Sequence, residues 1–234
     1  MSEASTVTLE EFQSFFYSKT LNCPVCHKDF ESHIVRDSKL RSIGADTDFM
    51  PRYKSIDPNH YGVTFCTNCG YAALNSQFPS LTDRQQDTLK AALAGEQKKY
   101  SFKFPYSVED VITRYVQALK CAEVIKAKAS NKAFLSLRLA WVLRVAGGRA
   151  DAEKECVQRA YDGLKEAYSD ERFPIGNMDE SSCKYLIADL ARRSGQMSEA
   201  LRWVADVVMA KGIAPALKDR AANLKDLIRE GKTD

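Results

Sequence analysis

A chain of 234 residues, 44% of them hydrophobic, can bury a core of its own, and its length allows one domain or two modest ones. No apolar run approaches the ~20 residues that span a bilayer, and Met1–Glu10 lacks the basic start and apolar stretch of a signal peptide, which excludes a membrane role and points to a cytoplasmic protein. The net charge of +3 divides unevenly: residues 1–80 carry 7 Lys/Arg against 9 Asp/Glu and the remainder 27 against 22, so the N-terminal part is mildly acidic.

Thr8-Leu-Glu-Glu11 reads as a capping box that opens a short helix with Phe12, Phe15 and Phe16 apolar. That helix is expected to stop before the first cysteine pair and to pack under the module that follows. From Asn22 to Tyr71 the pattern changes to short β-prone pieces, His33–Val35 and Tyr61–Phe65, separated by Gly44, Pro51 and Pro58. Such a loop-rich, strand-poor segment needs a covalent or metal tie.

Two Cys-x-x-Cys pairs, Cys23-Pro-Val-Cys26 and Cys66-Thr-Asn-Cys69, supply it, because each offers one tetrahedral ion two thiolates. Each resembles a zinc knuckle, and two knuckles make a zinc ribbon with one structural Zn2+ held by Cys23, Cys26, Cys66 and Cys69. The 39 residues between Cys26 and Cys66 exceed the usual ribbon spacing and should form an insertion with some folding of its own. Four sulfurs leave no position for water, which favours a structural over a catalytic ion. Zinc in such a site supplies on the order of 10 kcal/mol to folding. Iron is the competitor, since rubredoxin-like carriers use the same four-sulfur set. Four thiolates around one divalent ion would add −2 to an already acidic module, which disfavours contact with a phosphate backbone.

Seven cysteines in a chain without a secretion signal argue for reduced thiols rather than a disulfide framework. Cys121, Cys156 and Cys183 fall on apolar helical stripes and read as small buried hydrophobes. His27, His33 and His60 lie in or near the metal module without a His-Glu-x-x-His pattern or a matched nucleophile, and read as surface or structural. Asp46 and Asp48 read as turn residues.

Beyond the module, Thr82-Asp-Arg-Gln85 is a second capping box, opening a helix with Leu89, Ala92 and Leu93 that ends at Gly95. Residues 96–106 read as a connector. Six amphipathic helices follow, marked by Val108 to Ala122, Phe134 to Trp141, Ala152 to Tyr168, Cys183 to Ala191, Ala200 to Val208 and Leu217 to Ile228, with Gly147-Gly148, Gly195 and Gly212 at their ends. The expected organisation is a zinc-ribbon-like module over residues 1–80, a helix and connector over 81–106, and TPR-like antiparallel helical hairpins over 107–234, a mainly α fold. Ala140 and Ala152 stand twelve residues apart, and Ala188 and Ala200 repeat that relation 48 residues on. Tetratricopeptide repeats use the same small-residue offset, within a unit of about 34 residues.

Cys23-Pro-Val-Cys26, Arg36-Asp-Ser-Lys-Leu40, Asp48-Phe49, Tyr53-Lys54, Pro58, Tyr61 and Cys66-Thr-Asn-Cys69-Gly-Tyr-Ala72, in that order, closely resemble the bacterial "domain of unknown function 2225" family. Tyr185-Leu-Ile-Ala-Asp-Leu-Ala-Arg-Arg193-Ser-Gly195 and Glu199-Ala200-Leu-Arg-Trp203 extend the resemblance over nearly the whole chain. It implies a zinc-ribbon-like module joined to TPR-like helices in a bacterial cytosolic protein, and no particular activity. The chain departs from the family pattern at His27, where the first knuckle usually has glycine, and at Ala188, where the helix often does.

No Gly-x-x-x-x-Gly-Lys loop, Gly-x-Gly-x-x-Gly fingerprint or Gly-x-Ser-x-Gly elbow occurs, so an enzyme with a small-molecule substrate is not expected. The expectation is a non-enzymatic interaction protein, with Arg138, Lys184 and Arg192 lining a groove on the helices for a protein segment. The alternatives are a metal-thiolate redox sensor that releases zinc on oxidation and, ranked last, a nucleic-acid binder acting through the basic helices.

Overall fold

The computed structural model describes residues 8–94 and 100–233. The chain forms two compact units: one runs through Gly44 and resumes over Pro51–Ile125, and the other combines Ala45–Met50 with the chain from Lys126 onward.

In the first unit, α1 (Leu9–Ser14) is capped by the Thr8 hydroxyl, which accepts from the Glu11 N–H at 3.2 Å. The chain then passes directly into β1 (Phe16–Asn22), antiparallel to β2 (Asp29–Val35) in a register running from Phe16↔Val35 to Asn22↔Asp29. The sequence reading missed β1 because only Phe16 among its seven residues is buried, leaving no apolar alternation to detect. A second antiparallel pair, β5 (Val63–Phe65) with β6 (Ala72–Leu74), keeps Val63 opposite Leu74. Between them, β3 (Ser42–Ala45) pairs with β4 (Pro51–Tyr53). The long excursion between the cysteine pairs therefore holds the β3–β4 hairpin and one strand from each of the other two pairs.

Phe12 of α1 joins Phe15, Phe16, Ile56, Tyr61, Phe104 and Tyr106 in an aromatic cluster, so the helix packs against the insertion of the module, in a cluster separate from the one around the cysteines. The intervening seven-residue strand spans about 23 Å at the rise of an extended chain, which separates the helix from the first cysteine pair. Below the cysteines sit Val25, Phe30, Tyr71, Phe78, Leu89 and Cys121. Leu89 comes from α2 (Asp83–Leu93), whose Thr82/Gln85 capping box closes in both directions. The end expected at Gly95 lies outside the described residues. Cys121 comes from α3 (Val108–Val124), opened by a reciprocal Ser107/Asp110 box. Sequence periodicity grouped α3 with the helices after residue 107, but its buried Arg114, Tyr115 and Gln117 bond to Val63, Asn59 and Gly70, and the division between units falls after Ile125.

The second unit holds α4 (Ala129–Ala146), α5 (Ala150–Asp170), α6 (Glu180–Arg193), α7 (Met197–Met209) and α8 (Pro215–Arg229). Links of three residues join α4 to α5 and α6 to α7, so each pair must turn back on itself as a helical hairpin. Their stripes meet in one core that includes Leu137, Leu164, Leu186, Ile187, Val204 and Leu224, each fully buried large side chain contributing about 1.5–3 kcal/mol.

The helices depart from the sequence pattern in two places. α4 is not amphipathic in the ordinary sense: Leu135, Leu137, Leu139, Ala140, Trp141, Val142 and Leu143 are all buried, more than one stripe holds. The repeated alanine offset also fails as a packing rule, because Ala152 is exposed at the start of α5 whereas Ala140, Ala188 and Ala200 are buried. The close approach of α4 and α5 occurs instead at Gly163, where an added Cβ would stand 3.0 Å from the Ala133 Cβ. Among the described residues, no helix is long and apolar enough to cross a membrane.

Candidate metal centre

Each cysteine pair occupies the turn of a hairpin. β1 delivers Cys23, and the turn closes as the His27 N–H donates to the Cys23 carbonyl (2.9 Å) and the Cys23 N–H to the Lys28 carbonyl (3.1 Å). β5 delivers Cys66, and the pattern repeats: the Gly70 N–H donates to the Cys66 carbonyl (2.8 Å) and the Cys66 N–H to the Tyr71 carbonyl (2.8 Å). Both turns need a left-handed residue one place after the second cysteine, supplied by Gly70 at φ 82° and by His27 at φ 57°. The histidine thus keeps the backbone of the knuckle at a conformational cost, rather than changing its shape.

The two turns bring the four Sγ atoms within 4.8 Å of one another, with Cys23 and Cys69 3.7 Å apart and Cys26 and Cys66 also 3.7 Å apart. Sulfurs at about 2.3 Å from a central tetrahedral ion stand about 3.8 Å apart along each edge, so the separations fit an ion and are far too long for disulfides. Cys23 and Cys66 are buried, and Cys26 and Cys69 half-buried. Left to themselves, the thiols share their protons unequally. Hydrogen bonding with Cys66 raises Cys23 above the usual thiol value, while bonds from Cys23 and Cys69 draw Cys66 well below it. A divalent cation in their midst would replace the shared protons and let all four ionise.

The surroundings hold the knuckles in place. Asn22 donates to the His27 carbonyl (3.1 Å) and to the Asp29 carboxylate (2.8 Å), and Asn68 donates across to the Asp29 carbonyl (3.1 Å). On the other side, Gln117 of α3 donates to the Gly70 carbonyl at 3.0 Å. No local sequence signal marks this support, since Gln117 lies 47 residues from Gly70.

The other chemistry-bearing residues stand apart from the cluster. His33 stacks on Phe104 with ring centroids 4.0 Å apart, and burial holds its imidazole below the usual value. Burial pushes the Cys156 and Cys183 thiols up to about 11 and about 12, in keeping with packing roles. Of the three groove candidates, Arg138 on α4 is half-buried, and Lys184 on α6 pairs with Glu180 at 2.8 Å. Arg192 is fully enclosed: it bonds Asp189 (2.8 Å) and donates to the Lys232 carbonyl (2.9 Å), so its charge is spent inside the unit and does not line a groove.

Asp48, read from sequence as a turn residue, is also fully buried. It accepts from the Trp141 indole (3.0 Å) and pairs with Arg144 (2.8 Å) and Arg193 (3.7 Å). Burial alone would raise its carboxyl, but Arg193 and Arg144 outweigh that and hold it below the usual carboxylate range.

The sequence profile of a bacterial family, DUF2225, described as "Uncharacterized protein conserved in bacteria", matches residues 16–230. A protein of Borreliella burgdorferi, described as "Uncharacterized protein", is 24% identical over 174 residues, covering 66% of this chain and 60% of its own length. The match thus spans less than two thirds of that relative. No solved structure matches the chain.

Proposed function

The chain belongs to the bacterial DUF2225 family, and from that premise we propose a non-enzymatic interaction protein whose first unit is closed by one structural zinc ion and whose helices bind a protein segment. The observation that carries the metal reading is the four-sulfur set with tetrahedral spacing, assembled from two turns 40 residues apart. A set saturated by sulfur has no position for substrate or water, so its contribution is to fasten hairpins that share little apolar core. The interaction reading draws on the stacked helical hairpins of the second unit, an arrangement suited to presenting a surface to an extended segment. Seven cysteines held as thiols rather than disulfides suit a reducing, cytoplasmic setting.

Metal analysis of the purified protein tests the site. The expected result is one zinc per chain and a colourless solution, with metal lost in Cys66→Ser. A red protein with one iron would replace zinc by iron, and a metal-free protein of unchanged stability would overturn the site altogether. The half-buried Cys26 and Cys69 give oxidants a route to the cluster, so zinc release at low peroxide doses would favour redox sensing over a fixed tie. Affinity capture with the full chain tests the interaction reading, which fails if no protein is retained through the helices.

A further inference from the structure

Ala45–Met50 is the tip of the β3–β4 hairpin, yet it packs as part of the helical unit. Every side chain from Thr47 to Met50 is taken up by the helices. Thr47 donates to Asp189 (2.9 Å) and accepts from Arg192 (3.2 Å) and Arg193 (2.9 Å). Asp48 meets Trp141, Arg144 and Arg193. Phe49 packs on the Tyr185 ring at 5.0 Å, with Arg220 5.5 Å from its own centroid, and Met50 is buried in the helical core. Asp46 adds a contact to Arg144 at 3.5 Å, and its N–H and carbonyl close the turn with Met50 and Phe49. This is how a receptor treats a bound peptide: a buried carboxylate read by paired cations and an indole, followed by two apolar anchors.

One leg of the hairpin contrasts with its tip. All four residues of β3 are exposed, Ile43 at 68%, and Gly44 has open space where a Cβ would be, while β4 is half-buried. A tip held by the helices at the end of an exposed strand can be exchanged for the same tip of a second copy, which remakes the contacts the first gives up.

We propose that the face of α4, α6 and α8 is a receptor for a turn-shaped Asp-Thr-Asp-Phe-Met segment, filled by the chain's own Asp46–Met50 or, in an exchanged pair, by that of a second copy. The second copy is the occupant whose complementarity is on view, since every contact made within one chain can be remade between two. Within one chain the tip is present at an effective concentration on the order of millimolar, which favours the closed form until the tip is disabled. This inference rests on the reading of the helices as a segment-binding surface and gives that surface its ligand.

Two full-length variants test it: Asp48→Ala, which disables the tip, and the double variant Arg144→Ala/Arg193→Ala, which disables the receptor. Each alone should run as a single chain by light scattering, and an equimolar mixture should give a two-chain species, joined by the intact tip of one in the intact receptor of the other. A mixture that stays at single-chain mass overturns the exchange. Should either variant lose its helical signal, a synthetic peptide spanning Arg41–Lys54 is added to Asp48→Ala instead. It should raise the melting temperature, and the same peptide carrying Asp48→Asn should bind about 100-fold more weakly or worse. A peptide without effect overturns the receptor. Either failure leaves the zinc reading and capture through another helical face untouched, so the two levels of the account fail separately.

Discussion

The first unit closes over four sulfurs drawn from turns 40 residues apart, with a small apolar cluster beside them and a separate aromatic cluster around Phe16 and Tyr61. The second closes over one continuous apolar core spanning five helices, with its buried charges paired inside it. Strands such as β1 and β3 expose most of their residues, and the buried apolar residues of this unit are divided among small clusters, so a tie adds what one continuous core would supply. Stacked helices bury a stripe each and need none. The two units should therefore respond to opposite insults: the first to loss of metal, the second to loss of a buried charge.

The largest expected effect is that of Cys66→Ser, which removes one corner of the tetrahedron. It should cost most of the ~10 kcal/mol a structural ion supplies, unfolding the first unit while circular dichroism keeps the signal of α4–α8. If that variant melts as the wild type does, the contrast between the units is wrong. Next comes Asp48→Asn, which leaves Arg144 and Arg193 without their shared anion and should destabilise the helical unit by about 3–5 kcal/mol without changing metal content.

The same carboxylate carries a pH signature. Its folded value lies below its ordinary 3.8, so its stabilisation is present above about pH 4 and is lost as pH falls through the folded value. The difference in melting temperature between wild type and Asp48→Asn should be full at pH 6 and should shrink below pH 4. A difference that stays constant to pH 2 would show that the carboxylate is not the source.

Smaller effects sharpen the comparison within the metal module. Gly70→Ala places a Cβ 2.9 Å from the Tyr100 ring at a left-handed backbone position, and should lower stability by about 1–3 kcal/mol. His27→Gly at the matching position of the other knuckle should raise it by about 0.5–1 kcal/mol, because glycine adopts φ 57° without strain. Denaturant melts of the metal-loaded variants, read by tyrosine fluorescence or near-ultraviolet dichroism, check both signs.

These two regions also differ in how far their sequence discloses them. The cysteine pairs announce the metal site because the ligands of each turn are neighbours in the chain, and the capping box at Thr82 is a local signal of the same kind, whereas the Ser107 box, closed by Asp110 in place of the usual Glu or Gln, emerges only in the structure. Helices α3 and α5–α8 follow from a period of 3.6 in their apolar residues. What escapes is long-range. Asp48 looks like any acidic turn residue until Trp141 and Arg144, some 93 and 96 positions later, are folded against it. Arg192 looks like a surface cation until Asp189 and Thr47 enclose it. β1 hides because most of its residues face solvent, and Gly163 reveals its role only once Ala133 lies opposite. In each case the residue type permits several environments, and only a partner distant in sequence selects one.

Hydrogen exchange on the full-length, metal-loaded protein, before and after a zinc chelator, tests the central claim most directly. Amides of β1, β2, β5 and β6 should lose protection when the metal is withdrawn, while those of α4–α8 keep theirs. Unchanged protection around Cys23 and Cys66 after complete metal removal would contradict the claim that one ion bound by four sulfurs holds the first unit together.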